Sequence, residues 1–428
     1  MIKWNARKLF VCIRYFHVPH QIKDTILAVV CIKETCHEFD AFNFNGRGVY
    51  EHVLIKKITD EVSGKLNRPF LKIADYPVGL EGRIRNVLSL IGSDFGNKVN
   101  MLGFHGIGGI GKSTLARAIY NLIAEQFDGS CFLANVREKS GRNGLVQIQE
   151  TMLLELVGER NIKLEDMNQG IPILKARLHR KKVLLVLDDV DKKDQLDAIA
   201  GGFDWFGVGS VIIVTTRNKH LLDFHGVRKL YEVKEFNDNE ARKLFWWNAS
   251  KNKEVDPSYM EMMKRAIYFA GGLPLALQTI GSNLFGKTLD EWKSALEAYE
   301  RIPNRDVQEI LRISYDGLEE NEKEIFLDIA CFFKGCSLKY VTNMMHARGF
   351  NPEYGIRVLT EKSLINIWRS NGETIVTMHG LIECMGKEIV RQQSTWPEKR
   401  NRLWFYEDII RVVEKNKVSF HFFLCIIS

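Results

Sequence analysis

Between residues 100 and 235, short apolar runs alternate with stretches in which apolar positions recur every three or four residues. That alternation is the pattern of a parallel sheet covered by helices on both faces. Val99 to Phe104, Ser130 to Val136, Val183 to Leu187, Val211 to Thr216 and Leu230 to Val233 read as five strands. Leu115 to Glu125, Gln147 to Val157, Ile171 to His179 and Lys193 to Ala200 read as the helices or helical turns between them, giving a three-layer α/β domain.

Beyond Phe236 the pattern is helical alone. It opens at Asn237, a helix cap, with Glu240 three residues on as in a capping box, and Ala241, Leu244, Phe245 and Ala249 fall on one face. Further helices are expected at Tyr259 to Ala270, Leu275 to Leu284 and Leu289 to Tyr299, with Pro303 and Asn304 as a linker. A second helical set follows at Val307 to Ser314, Glu320 to Cys331, Leu338 to Ala347 and Gly355 to Glu361. Ile365 to Trp368 and Thr374 to Met378, joined around Asn371-Gly372, read as a hairpin, and Gly380 to Arg391 and Trp404 to Glu414 as helices. Helices followed by a small hairpin make a winged helix. Residues 1–45 show no sustained periodicity, and no leucine repeat is visible.

With 428 residues, 45% hydrophobic and 26% charged, the chain reads as a globular protein of several domains. The net charge of +7 is dispersed without a run of like charges, so nucleic acid is not expected as a partner. The 8 cysteines lack zinc spacing, and Cys31/Cys36 and Cys331/Cys336 read as reduced core thiols. No secretory signal is recognisable, and the apolar stretches Ile26 to Ile32 and Val418 to Ser428 fall short of the roughly 18 residues that span a bilayer.

The chemistry is concentrated after the first strand. Gly106 to Ser113 fit G-x-x-x-x-G-K-[ST] between an apolar strand and a helix start, the order a phosphate loop requires. Glycines there let successive N–H groups turn inward toward phosphate oxygens. Lys112 would supply charge to the outer phosphates and Ser113 a hydroxyl to Mg2+. The strand Val183 to Leu187 ends in Asp188 and Asp189, delivered to the same sheet edge: Asp188 would hold Mg2+ through water, and Asp189 would orient or deprotonate an attacking water. Arg217, at the tip of the next strand, reads either as a γ-phosphate sensor or as an ordinary surface arginine.

Taken in order, the loop Gly103 to Asn121, Phe127 to Glu138, the Asp188-Asp189 strand, Ile213 to Arg217, Gly271 to Leu277, Ile313 to Leu318 and Phe326 to Phe333 resemble the successive signatures of the NB-ARC module of plant disease-resistance proteins, in the class that carries a TIR domain and leucine-rich repeats. The resemblance covers about residues 50–415. It implies a P-loop α/β domain, an all-α domain and a winged-helix domain closing around ADP, and open with ATP and Mg2+. By the same resemblance, Gly106, Gly108, Gly109, Ile110, Gly111, Lys112, Ser113, Thr114 and Arg217 would contact the nucleotide, Val78-Gly79 would pass the adenine edge, Pro274 would pack on the base, and His379 would reach the ADP phosphates. Without it, Pro274 is a helix-start proline and His379 a core or surface histidine.

The domains implied are an unassigned segment 1–49, a remnant of the last TIR helix and linker at 50–72, the nucleotide-binding domain 73–235, a helical domain 236–302, a winged helix 303–395 and an extension 396–428. The chain departs from the family in having Gly380 where an aspartate usually follows the histidine; glycine would still serve as the helix cap, but the carboxylate is missing. Residues 50–66 match only one TIR helix and the chain stops where the repeats would begin, so NAD cleavage and a sensor are not expected. The function implied is an ADP/ATP switch in defence signalling, at most a slow ATPase, cytoplasmic and also nuclear. Its partners would be other resistance-type or signalling proteins, in homo- or hetero-oligomers on activation. The alternatives are an adaptor or decoy that regulates full-length relatives, and a nucleic-acid-directed ATPase, against which the acidic residues of Glu309 to Asp328 argue.

Overall fold

The computed structural model describes residues 71–414 apart from 93–96, 142–143, 160–161, 252–256, 302–303 and 371. The expectations for residues 1–66, Pro303, Asn371 and the Val418 to Ser428 tail lie outside the described residues. Helix α1 (Leu80–Ile91) precedes β1 (Asn100–His105), α2 (Lys112–Ile123), β2 (Gly129–Leu133), the short α3 (Val136–Lys139), α4 (Gly144–Met152), α5 (Met167–Leu178), β3 (Val183–Val190), α6 (Lys193–Ala200), β4 (Val211–Thr216), α7 (Lys219–Phe224) and β5 (Lys229–Glu232). The five strands pair in parallel in the order β2-β3-β4-β1-β5.

The strands divide their side chains strictly by parity. Leu102, Phe104, Leu184, Val186, Val211 and Ile213 pack on the side of α1 and α2, whereas Met101, Cys131, Leu133, Leu185, Leu187, Ile212 and Val214 pack on the side of α4 to α7. A period of two with both sets buried is what continuous apolar runs mean in a doubly covered sheet. The expected five strands are all present. The second is shorter than expected: it stops at Leu133 because Asn135 adopts a left-handed φ of 55°, which turns the chain into α3. Helix α1 has little signature in the sequence, since Gly82, Arg83 and Arg85 blur its apolar face and its N-cap is Gly79 rather than a polar residue. Helix α5 begins a turn earlier than expected, where the Asp166 side chain accepts the Gln169 amide.

The helical region comprises α8 (Asp238–Ser250), α9 (Met260–Ala270), α10 (Pro274–Leu284) and α11 (Leu289–Arg301). The expected capping box is formed: Asn237 Oδ1 accepts the Glu240 amide at 3.0 Å and Glu240 Oε2 accepts the Asn237 amide at 3.1 Å. The third region holds α12 (Arg305–Asp316), α13 (Glu320–Asp328), α14 (Leu338–Ala347), α15 (Pro352–Glu361), the antiparallel hairpin β6 (Asn366–Ser370) and β7 (Glu373–Thr377), and α16 (Gly380–Gln392). Helix α17 (Tyr406–Glu414) follows. Here Arg402, 1% exposed, donates to Asp328 Oδ1 at 2.6 Å and to Glu324 Oε2 at 2.8 Å, and Arg348 also pairs with Asp328. Cys331 is a buried free thiol, pushed up to about 12 by desolvation, and Cys336 is half-buried and free. Among the described residues no helix is long and apolar enough to cross a membrane.

Candidate functional site

The carboxyl ends of β1, β3 and β4 face a cavity of about 410 Å³, to which all three regions contribute. The loop after β1 supplies Gly108, Gly109, Ile110, Gly111, Lys112, Ser113 and Thr114. Gly111 caps α2 with φ 98°, a conformation that L side chains rarely adopt, so the chain can enter the helix with its first N–H groups facing the cavity. The carbonyl of Gly109 accepts the Leu275 amide of α10 at 3.2 Å, which joins the loop to the helical region.

Lys112 is buried, and its Nζ donates to the carbonyls of Gly106 and Ile107, each at 2.8 Å. Desolvation first, and then the nearby Arg217, draw its ammonium down to about 7, against the pull of Asp189 and Asp188. A phosphate beside it would favour the charged form.

The two aspartates part ways at the end of β3. Asp188 is 1% exposed, and its Oδ1 accepts from Thr215 Oγ1 at 2.7 Å. Thr215 Oγ1 in turn accepts the Asp189 amide at 2.9 Å. Asp189 has φ 58°, and the register with β4 shifts between Leu187 and Val190. This local irregularity turns the Asp189 side chain into the cavity while Asp188 stays under it. There Asp189 Oδ2 accepts from Arg137 Nε at 2.8 Å, and its Oδ1 lies 3.6 Å from Arg217 Nε. Arg217 Nη1 reaches across to the third region and donates to the Ile310 carbonyl of α12 at 2.6 Å. A methyl group on Gly108 would meet that Nη1 at 2.8 Å and Ile310 O at 3.1 Å.

At the other end the lining is largely apolar: Tyr76, Pro77, Val78, Leu80, Phe236, Leu244, Pro274 and Leu275. Arg83 pairs with Glu240 at 2.7 Å and lies over the Phe236 ring, 4.8 Å from its centroid, so α1 is tied to the start of α8. Cationic Lys112, Arg137 and Arg217 at one end and an apolar slot at the other suit a ligand with an anionic tail and a flat apolar head.

Of the residues expected from sequence, Val78, Gly108 to Thr114, Asp189, Arg217 and Pro274 line the cavity. Gly79, Gly106, Asp188 and His379 are not among its lining residues. Gly79 abuts Arg83 and Glu240 instead. His379, rather than Gly380, caps α16: its Nδ1 accepts the Leu381 amide at 3.1 Å, which leaves Nε2 to donate to the Gly271 carbonyl at 3.0 Å. Burial holds this imidazole below the ordinary histidine range. Arg137, Thr215 and Ile310 were given no role from sequence. Arg137 lies within a stretch that resembled the family, but its partner is distant in the chain, and nothing local marks the pair.

Ser113 lines the cavity at the start of α2, and Asp188 lies under it as a buried carboxylate whose Oδ1 accepts from Thr215; both are oxygen donors of the kind Mg2+ takes.

Residues 82–255 match the NB-ARC domain, and residues 319–394 match the winged-helix domain of Roq1-like disease resistance proteins. The disease resistance protein RUN1 of Vitis rotundifolia is 38% identical over 370 residues, covering 86% of this chain and 27% of that protein. The TMV resistance protein N of Nicotiana glutinosa is 38% identical over 370 residues, covering 85% of this chain and 31% of that protein. The chain thus spans 27% and 31% of the length of these curated relatives. Among solved structures, a Walker-type ATPase of Pyrococcus abyssi is similar over 74% of this chain and 98% of that one, at 15% identity and a TM-score of 0.49.

Proposed function

Since residues 82–255 are an NB-ARC domain and residues 319–394 a winged-helix domain of the Roq1-like disease-resistance type, we propose that the chain is a nucleotide-controlled switch in plant innate immunity, closed around ADP and open with ATP. One observation carries the reading: the cavity is built by three regions held together through its own lining, with the Gly109 carbonyl on Leu275 and Arg217 on the Ile310 carbonyl. A charge placed there acts on groups that also join the regions, so occupancy and arrangement are linked.

In this reading the Gly108 to Thr114 loop and Lys112 hold the phosphates, Val78 and Pro274 enclose the base, and Gly79 passes its edge. Gly106 supports the loop from behind, and Ser113 and Asp188 hold Mg2+. When bound, Mg2+ neutralises phosphate charge and fixes the terminal phosphates. Arg217 senses the γ-phosphate and Asp189 orients the attacking water, in a slow hydrolysis that resets the switch. His379 reaches toward ADP phosphates in the closed form from its seat on Gly271. The chain acts in the cytoplasm and the nucleus through contacts with other resistance-type or signalling proteins, oligomerising on activation.

The test is the nucleotide that co-purifies with the chain, together with amide exchange in the presence of ADP or a non-hydrolysable ATP analogue. Bound ADP, and faster exchange in α12 with the ATP analogue than with ADP, are expected. Absence of nucleotide, or identical exchange with both, would sink the proposal.

A further inference from the structure

A carboxylate that takes a proton from water needs a free oxygen turned toward that water. Asp189 has one oxygen bound and the other beside a cation. Its Oδ2 accepts from Arg137 Nε at 2.8 Å, and its Oδ1 faces Arg217 Nε at 3.6 Å. Both side chains in the tighter pair are mostly shielded, at 22% and 19% exposed, so the contact is screened far less than a surface ion pair.

The placement of Arg137 follows from the chain. Asn135 turns left-handed directly after β2, and the four-residue helix α3 then packs along β3, setting Arg137 over the end of the strand. Asp189 is brought to meet it by its own left-handed φ of 58°. Two uncommon backbone conformations, one after β2 and one at the end of β3, therefore converge on one hydrogen bond. The guanidinium directs its Nε at the carboxylate, and its Nη2 lies 3.6 Å from the exposed Glu138, so Arg137 is not committed to other buried partners.

We propose that Arg137 is a positioning residue that holds Asp189 away from water activation, so that the chain retains ATP rather than turning it over. This rests on the reading of Asp189 as the water-orienting carboxylate. In the restrained step the water oxygen bonds to the γ-phosphorus, and the bond from that phosphorus to the bridging oxygen breaks. The electron pair of that bond leaves on ADP, and the water proton passes to Asp189 Oδ2. Arg137 Nε takes a lone pair of that same oxygen, which lowers its basicity and fixes its direction, and release of Asp189 from Arg137 restores both. Arg217 remains as a looser partner on the other oxygen and keeps the carboxylate near the phosphates.

The experiment is single-turnover hydrolysis of Mg-ATP by the whole chain, alongside titration with a fluorescent ADP analogue. It compares the parent with Arg137→Gln, Arg137→Met, Arg137→Lys, and Arg137→Gln combined with Asp189→Asn. Arg137→Gln and Arg137→Met are expected to raise the rate by about tenfold, a part of the roughly 10²- to 10⁴-fold that a positioned general base contributes. Rates are compared at saturating Mg-ATP, because loss of the Arg137 charge from the cavity also weakens nucleotide binding, alike in Arg137→Gln and Arg137→Met. Arg137→Lys should stay near the parent, and the double variant should lose the gain. An unchanged or lower saturating rate in Arg137→Gln and Arg137→Met would overturn the proposal, as would a gain that survives Asp189→Asn, or no hydrolysis by any of the chains. Any of these would leave the switch reading standing. Failure of the parent to bind nucleotide would remove both.

Discussion

Lys112 combines a buried ammonium with a place in the cavity lining. Its ammonium is buried on two backbone carbonyls, and desolvation draws it down to about 7. Lys112→Met should therefore leave the melting temperature unchanged or higher, while ADP affinity falls by about 1.5–3 kcal/mol, or roughly ten- to a hundredfold. A fluorescent ADP titration beside a thermal melt separates the two effects, and a fall in stability equal to the loss of affinity would refute the assignment. Gly380 offers the opposite case. It lies exposed in the first turn of α16, and a Cβ built there meets nothing within 4 Å. Gly380→Asp should raise stability by about 0.3–1 kcal/mol, through the interaction of a carboxylate with the helix N-terminus, measured by urea denaturation. At this scale the phosphate loop was legible because its chemistry is contiguous. Arg137 and Ile310 were not, because each meets its partner only after the sheet and the third region have formed.

At the scale of elements, apolar parity and caps located the strands and most helices, and the misses have local causes: Asn135 ended β2 early, and α1 starts on a glycine. The element with most at stake is α13. Its Asp328 is fully buried between Arg402 and Arg348, and Arg402 also reaches Glu324. The segment before α17 is thereby fastened to the winged helix by a buried ion pair, which is expensive to break from one side because the remaining charge stays in the interior. Arg402→Ala should cost about 3–5 kcal/mol in denaturant unfolding, and Arg402→Lys only part of this. A cost near that of a surface ion pair, about 1 kcal/mol or less, would contradict this account. The pair is not legible in the chain, since Arg402 and Asp328 lie 74 residues apart.

For the whole molecule the informative contacts are those that cross between regions. Arg217→Ala removes the donor to the Ile310 carbonyl, and amide exchange in α12 should quicken while that in α14 stays as in the parent. Equal exchange in α12 would show that the hydrogen bond does not hold the regions together. A second crossing depends on pH. Burial lowers the His379 imidazole, opposed by its bond to Gly271 and by Glu235, with Lys334 adding to the lowering. A base that titrates lower in the folded chain than its ordinary 6.5 contributes fully above that pH and loses its contribution as the pH falls through it. The gap in melting temperature between the parent and His379→Gln should be open at about pH 8 and close toward about pH 5. The change from alternating strands and helices to helices alone beyond Phe236 is legible in the chain, since the periodicity changes there. The bonds between them could not, because backbone carbonyls such as those of Ile310 and Gly271 leave no trace in side-chain chemistry. Gly108 stands where these scales meet. A methyl group there would press on Arg217 and on the Ile310 carbonyl together, so one added carbon in the loop would reach the third region. Gly108→Ala should therefore loosen α12 from the loop, read as faster amide exchange in α12.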